Sequence, residues 1–128
     1  MLREWCGRLL GALVFCFAAD AAAQAPSDAQ RTQARAIYER IVSFDTSTGA
    51  QNQAMAAYLS SQFRAAGFPA EDIHLVAAGE TTGIVVRYRG DGSGGRPIVL
   101  RAHMDVVPAL REDWERDPFT LVEENGFF

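Results

Sequence analysis

The short apolar run Ile98-Val99-Leu100 constrains this chain more than any other stretch. Gly90-Asp91-Gly92-Ser93-Gly94-Gly95 and Pro97 precede it, and Pro108 closes the segment that follows. An apolar run punctuated in this way reads as a strand, Ile98 to Ala102, with both faces buried. Such a strand needs layers on either side of its sheet, so the pattern predicts an α/β arrangement with helices covering a mixed sheet. His103 and Asp105 stand at the strand's carboxyl end, where open α/β sheets usually place their sites. Side chains alternate across an extended strand, so the imidazole and the carboxylate are expected on the same side. A histidine with an acceptor two residues on can be a metal ligand with its orienting partner, or a hydrogen-bonded pair that finishes a strand.

The chain before this strand supplies the predicted layers. Ala36, Ile37, Ile41, Val42 and Phe44 recur at helical spacing and predict a helix over Thr32 to Phe44. Asp45-Thr46-Ser47-Thr48-Gly49 breaks it with small cap-forming residues. A second helix is predicted from about Asn52 to Ala66, with Met55, Leu59, Phe63 and Ala66 inward and Gly67 as its stop. Ile73 to Ala77 and Gly83 to Tyr88 read as two strands joined by a turn over Gly79 to Thr82. The later glycine run opens a strand, whereas a nucleotide-binding glycine loop opens a helix, so it is read as a flexible hairpin connection. Arg89-Gly90-Asp91 is read as a turn. Past Pro108, Trp114 and Phe119 are expected to pack a long loop onto the body. A strand-like Thr120 to Glu123 and an Asn125-Gly126 turn complete the chain.

The amino terminus predicts a different fate. Arg3 and Arg8, the apolar run Leu9 to Ala19 and Ala21-Ala22-Ala23 have the order of a secretory signal peptide. The apolar run is about 11 residues, against roughly 20 for a bilayer span. Residues 1–23 are therefore read as a leader, 24–31 as a linker and 32–128 as the folded part. The protein is expected to be exported, periplasmic or secreted, with no membrane association after cleavage. Cys6 and Cys16 both fall in the leader, which leaves no thiol for a disulfide or a metal. The net charge of −4 and scattered arginines give no basic footprint for nucleic acid.

Three features together carry a family resemblance. They are the string Pro97 to Pro108, then Trp114, Asp117-Pro118-Phe119 and Glu124-Asn125-Gly126-Phe127, and upstream Phe44-Asp45-Thr46-Ser47. They resemble the first metal motif and amino-terminal portion of the dizinc exopeptidase superfamily, which includes aminoacylases, glutamate carboxypeptidases, carnosine-type dipeptidases and desuccinylase-like deacylases. The resemblance implies a partial, truncated helix/mixed-sheet/helix catalytic domain without the inserted dimerisation (lid) domain, through which family members are often homodimeric. It implies hydrolysis of peptide or N-acyl amino acid amide bonds by a metal-activated water, with two zinc ions in the full-length family. His103 would be a terminal zinc ligand, and Asp105, the candidate catalytic-site carboxylate, would orient it.

The family's next motif would begin just past Phe128, and its general base and remaining ligands further on. The chain by itself is therefore expected to be inactive and to bind zinc weakly or not at all. The alternative is a non-catalytic exported remnant or binding module that retains the scaffold.

Overall fold

The computed structural model describes residues 24–128; the leader read at residues 1–23 lies outside the described residues. Helix α1 spans Asp28–Val42, starting four residues before the predicted Thr32 and taking in much of the linker. Ser27 is the reason. Its hydroxyl accepts from the Gln30 N–H at 3.3 Å, and the Gln30 side chain accepts from the Ser27 N–H at 2.7 Å, which completes a capping box. Helix α2 spans Gly49–Ala65 under the Thr48 cap. It ends as predicted at Gly67, whose φ of +88° suits a residue without a β-carbon.

A 3₁₀ turn at Ala70–Asp72 leads into β1, Ile73–Ala78, which pairs antiparallel with β2, Thr81–Val86. The register runs from Ile73 opposite Val86 to Ala78 opposite Thr81, so the connection is only Gly79-Glu80, shorter than predicted. Gly79 provides the positive φ, +61°, that a tight hairpin needs at its first central position. Thr81 and Thr82, expected in the turn, pair in the ladder as β-branched residues favour.

Helix α2 covers one face of this hairpin. By register that face carries Ile73, Leu75 and Ala77 with Val86, Ile84 and Thr82. Ile73, Met55, Ala56 and Phe44 form the buried apolar core. Val76 and Val85, on the opposite face, stay exposed. Two helices and a two-stranded antiparallel sheet make a partial α/β unit.

The predicted central strand does not form. Residues 98–102 are extended to solvent without ladder partners, and Ile98, Val99 and Leu100 are 88%, 84% and 93% exposed. A strand is stabilised by its neighbours, and Ile98 to Ala102 pairs with neither outer edge of the β1–β2 hairpin. After Val86 the chain is drawn back towards Asp72, whose carbonyl accepts from the Arg87 N–H at 2.9 Å, and the glycines then carry it away from the sheet. The sheet is therefore a two-stranded hairpin in place of the mixed sheet predicted around Ile98 to Ala102. Thr120 to Glu123 likewise forms no strand. Glu124 instead bridges Phe127 across Asn125 and Gly126, both at positive φ, as an Asn-Gly turn requires.

The long loop does reach the body. Tyr38 of α1 meets Phe128 edge-on at 5.3 Å between ring centroids, and Arg35 pairs with Glu123. No helix among the described residues is long and apolar enough to cross a membrane.

Candidate metal centre

The α1–α2 connection sets the geometry around His103. Helix α1 is closed at Ser43, and the turn that follows is tied by its own backbone. The Thr46 N–H donates to the Phe44 carbonyl at 2.9 Å, and the Thr48 N–H donates to the Asp45 carbonyl at 3.3 Å. The Asp45 carboxylate accepts from the Ser47 N–H at 3.2 Å. This turn buries Thr46 to 4% exposure and aims its hydroxyl at the Met104 carbonyl, 2.7 Å away. The Phe44-Asp45-Thr46-Ser47 stretch and the His103-Met104-Asp105 stretch, far apart in sequence, thus meet.

The structure brings His103 and Asp105 together on the solvent side, with side chains 85% and 70% exposed. Nδ1 of His103 lies 2.8 Å from the main-chain carbonyl of Asp105 and 3.6 Å from its carboxylate. The nearer acceptor is therefore the carbonyl, and the carboxylate stands behind it. When Nδ1 carries the proton and donates to that carbonyl, the lone pair is left on Nε2, as an imidazole ligand to zinc requires.

Behind Met104 lies an apolar cavity of about 420 Å³. Tyr38 and Phe44 line it on the helical side, and Val106, Trp114 and Phe119 on the loop side. Trp114, about half exposed, and Phe119 line this cavity together with Tyr38 of α1.

Three of the other acidic residues near the motif are engaged elsewhere. Arg35 pairs with Glu123, and Arg116 with Glu124 at 2.8 Å. Asp117 closes its own turn, accepting from the Phe119 N–H at 2.9 Å and the Thr120 hydroxyl at 3.1 Å. Among the described residues, no group of three or more His, Cys, Asp or Glu could hold a metal ion. His74 lies exposed on β1, opposite Val85, and belongs to no group of three or more potential metal ligands among the described residues.

Sequence patterns overlooked three polar residues. Asp72 is 1% exposed and accepts from Arg89 Nε at 2.7 Å and Nη2 at 2.9 Å, with Arg87 at 3.6 Å. The Arg89 guanidinium, with Arg87 beside it, holds the Asp72 carboxyl below the usual carboxylate range, although burial opposes this. Asn52 accepts from the Thr82 N–H at 2.8 Å. Thr46 is the third; it falls in the Asp45 to Gly49 break and in the Phe44-Asp45-Thr46-Ser47 stretch, but neither announces its bond to Met104.

The chain is 30% identical over 103 residues to acetylornithine deacetylase of Pasteurella multocida (strain Pm70), a match covering 80% of this chain and 26% of that protein. The names and the motif point to one superfamily of metallopeptidases and amidohydrolases. The second such protein is an N-fatty-acyl-amino acid synthase/hydrolase of Mus musculus, 49% identical over 39 residues, or 30% of this chain and 8% of that one. The likeness is thus at the level of the superfamily, and the chain spans a minor part of either relative. No family model matches the chain. No solved structure matches it.

Proposed function

We propose that this chain is the exported amino-terminal portion of a zinc-dependent hydrolase of peptide or N-acyl amino acid amide bonds, and supplies one corner of its metal site. The observation that carries the reading is the His103 ring. It is exposed, with Nδ1 against the Asp105 carbonyl at 2.8 Å, inside the motif that resembles the superfamily's first metal motif. Zinc, when bound, polarises an amide carbonyl and supplies a water that ionises near neutral pH. His103 would hold one ion through Nε2, and the Asp105 main chain would fix the ring. The fit is good for a single ligand. Catalytic zinc takes three protein ligands and a water, so the remaining ligands and the general base would come from outside the described residues.

A non-catalytic module is the second reading, favoured by the lack of a three-ligand group among the described residues. One experiment separates the two. The product of the whole coding frame, read past codon 128, is supplied with zinc and assayed on N-acetyl amino acids and dipeptides. Hydrolysis that falls at least about 100-fold in His103→Ala is expected for the enzyme. No hydrolysis of any of these substrates would sink the proposal and leave the module reading. The 128-residue chain alone is expected to be inactive; tight, stoichiometric zinc in it, removed by His103→Ala, would overturn the single-corner assignment.

A further inference from the structure

We infer that Thr46 is a positioning residue for His103: its buried hydroxyl, bonded to the Met104 carbonyl, fixes the peptide that holds the Asp105 carbonyl against the imidazole. The inference rests on the reading of His103 as a metal ligand and adds what keeps that ligand oriented.

Residues 97–110 belong to no helix or strand of more than a single turn, so no ladder of backbone bonds sets their conformation. Among the described residues, the Thr46–Met104 contact is the one hydrogen bond from this segment to the helices or their connection. It falls on the residue between His103 and Asp105. The Met104 carbonyl and the Asp105 N–H share one peptide plane, so holding that oxygen restricts the torsions on either side of the plane. The Asp105 carbonyl, which faces Nδ1 at 2.8 Å, follows directly.

The donor itself is well anchored. Thr46 lies in a turn closed by the Phe44 and Asp45 carbonyls, and the Thr48 carbonyl at its end accepts from the Asn52 N–H of α2 at 3.0 Å. At 4% exposure the hydroxyl has little water to bond with in exchange. Burial makes losing the bond more costly than at the surface. A β-branched side chain also restricts the hydroxyl to few rotamers, so the anchored backbone determines where it points.

The test uses the whole 128-residue chain and Thr46→Val, which keeps the shape and removes the donor. Thr46→Ala is a second donor-free variant, and Thr46→Ser restores the donor. The ring ¹⁵N resonances of His103, taken where the imidazole is neutral, report which nitrogen carries the proton. The Met104 carbonyl ¹³C resonance reports the bond, and the amides of Gly49 to Val86 report folding.

The wild type is expected to hold the proton on Nδ1. Both donor-free variants should move the Met104 carbonyl resonance and shift the tautomer ratio towards Nε2–H by about fivefold, the factor that one net hydrogen bond represents. Thr46→Ser should return both signals. A Met104 resonance unmoved in the donor-free variants would overturn the bond, and a moved resonance with an unchanged tautomer ratio would overturn the positioning role. Zinc added to the product of the whole coding frame should shift Nε2 of His103; if it does not there, while the tautomer of the 128-residue chain responds to Thr46, the metal reading falls and the positioning of the ring stands.

Discussion

Two regions of this protein solve the problem of order differently. From Gly49 to Arg89, a capped helix covers a tight hairpin, Asn52 fastens the helix to β2, and a buried Asp72 gathers Arg87 and Arg89 at the strand ends. From Pro97 to Leu110, a more apolar segment forms no helix or strand and leaves Ile98 to Leu100 in solvent, with Thr46 as its hydrogen-bonded tie to the helices. The ordered region has buried polar contacts and an unremarkable apolar content. The exposed region leaves Ile98, Val99 and Leu100 almost wholly in solvent. Apolar sequence creates a demand for burial, but neighbours and specific polar ties decide where it is met.

The strongest way to break this contrast is to remove Asp72. Asp72→Ala loses a bidentate ion pair and opens space at the junction of the 3₁₀ turn and β1. The expected fall in Tm is on the order of 5–10 °C, read by circular dichroism. The effect also has a pH signature. Because the folded-state pKa is lowered, chiefly by the hydrogen bond from Arg89, the contribution is complete above the unfolded value of about 3.9. It is lost as pH falls through the lower folded value. Wild-type Tm should therefore drop on acidification below about pH 4, and Asp72→Asn should flatten that drop. An Asn variant with the wild-type slope would mean that Asp72 does not hold the hairpin ends.

Asn52→Ala should come next, at about 2 kcal/mol in urea unfolding, since the Thr82 N–H loses its acceptor at a largely covered position. A cost under about 0.5 kcal/mol would show that water replaces the amide. Gly49→Ala should be smaller and has an unusual sign. In an ordinary helix this change gains up to about 1 kcal/mol. Here a β-carbon at Gly49 would lie 2.5 Å from the Glu80 carbonyl oxygen, so the helix start or the hairpin turn must move. The net expectation is a loss of about 1 kcal/mol. A gain would mean that the turn yields freely, and the close docking of α2 on the hairpin would have to be withdrawn.

Legibility followed the same division. Local signals were readable: helical spacing gave both helices, Gly67 gave a stop, and Gly79 marked the hairpin. The Ser27-x-x-Gln30 cap was also local, but the apolar pattern begins only at Ala36, so the early start of α1 was missed. What escaped were contacts joining distant residues. Asp72 meets Arg89, Asn52 meets Thr82 and Thr46 meets Met104, and no periodicity announces such pairs. The motif around His103 led to the proposed chemistry and anticipated the proximity of Asp105. It did not reveal that the ring's nearer acceptor would be a main-chain carbonyl, because that depends on a peptide plane held by Thr46. The Ile98 to Ala102 pattern specified what a strand needs, but among the described residues no ladder forms on it.

The smallest expected effect tests the exposed side of the comparison. Leu100 is 93% exposed, so Leu100→Ala removes apolar surface that was never taken from water. In urea unfolding at low micromolar concentration the change should lie within about 0.5 kcal/mol of wild type. Truncating a leucine in a packed central strand would instead cost about 2–5 kcal/mol. A loss of that size at every concentration would place Ile98 to Ala102 inside a core in solution and erase the difference between the two regions. A loss that grows with protein concentration would locate the burial between copies of the chain, because only association makes stability depend on concentration. In that case the apolar run would find its covering layer in a second molecule, and the contrast would stand for the monomer.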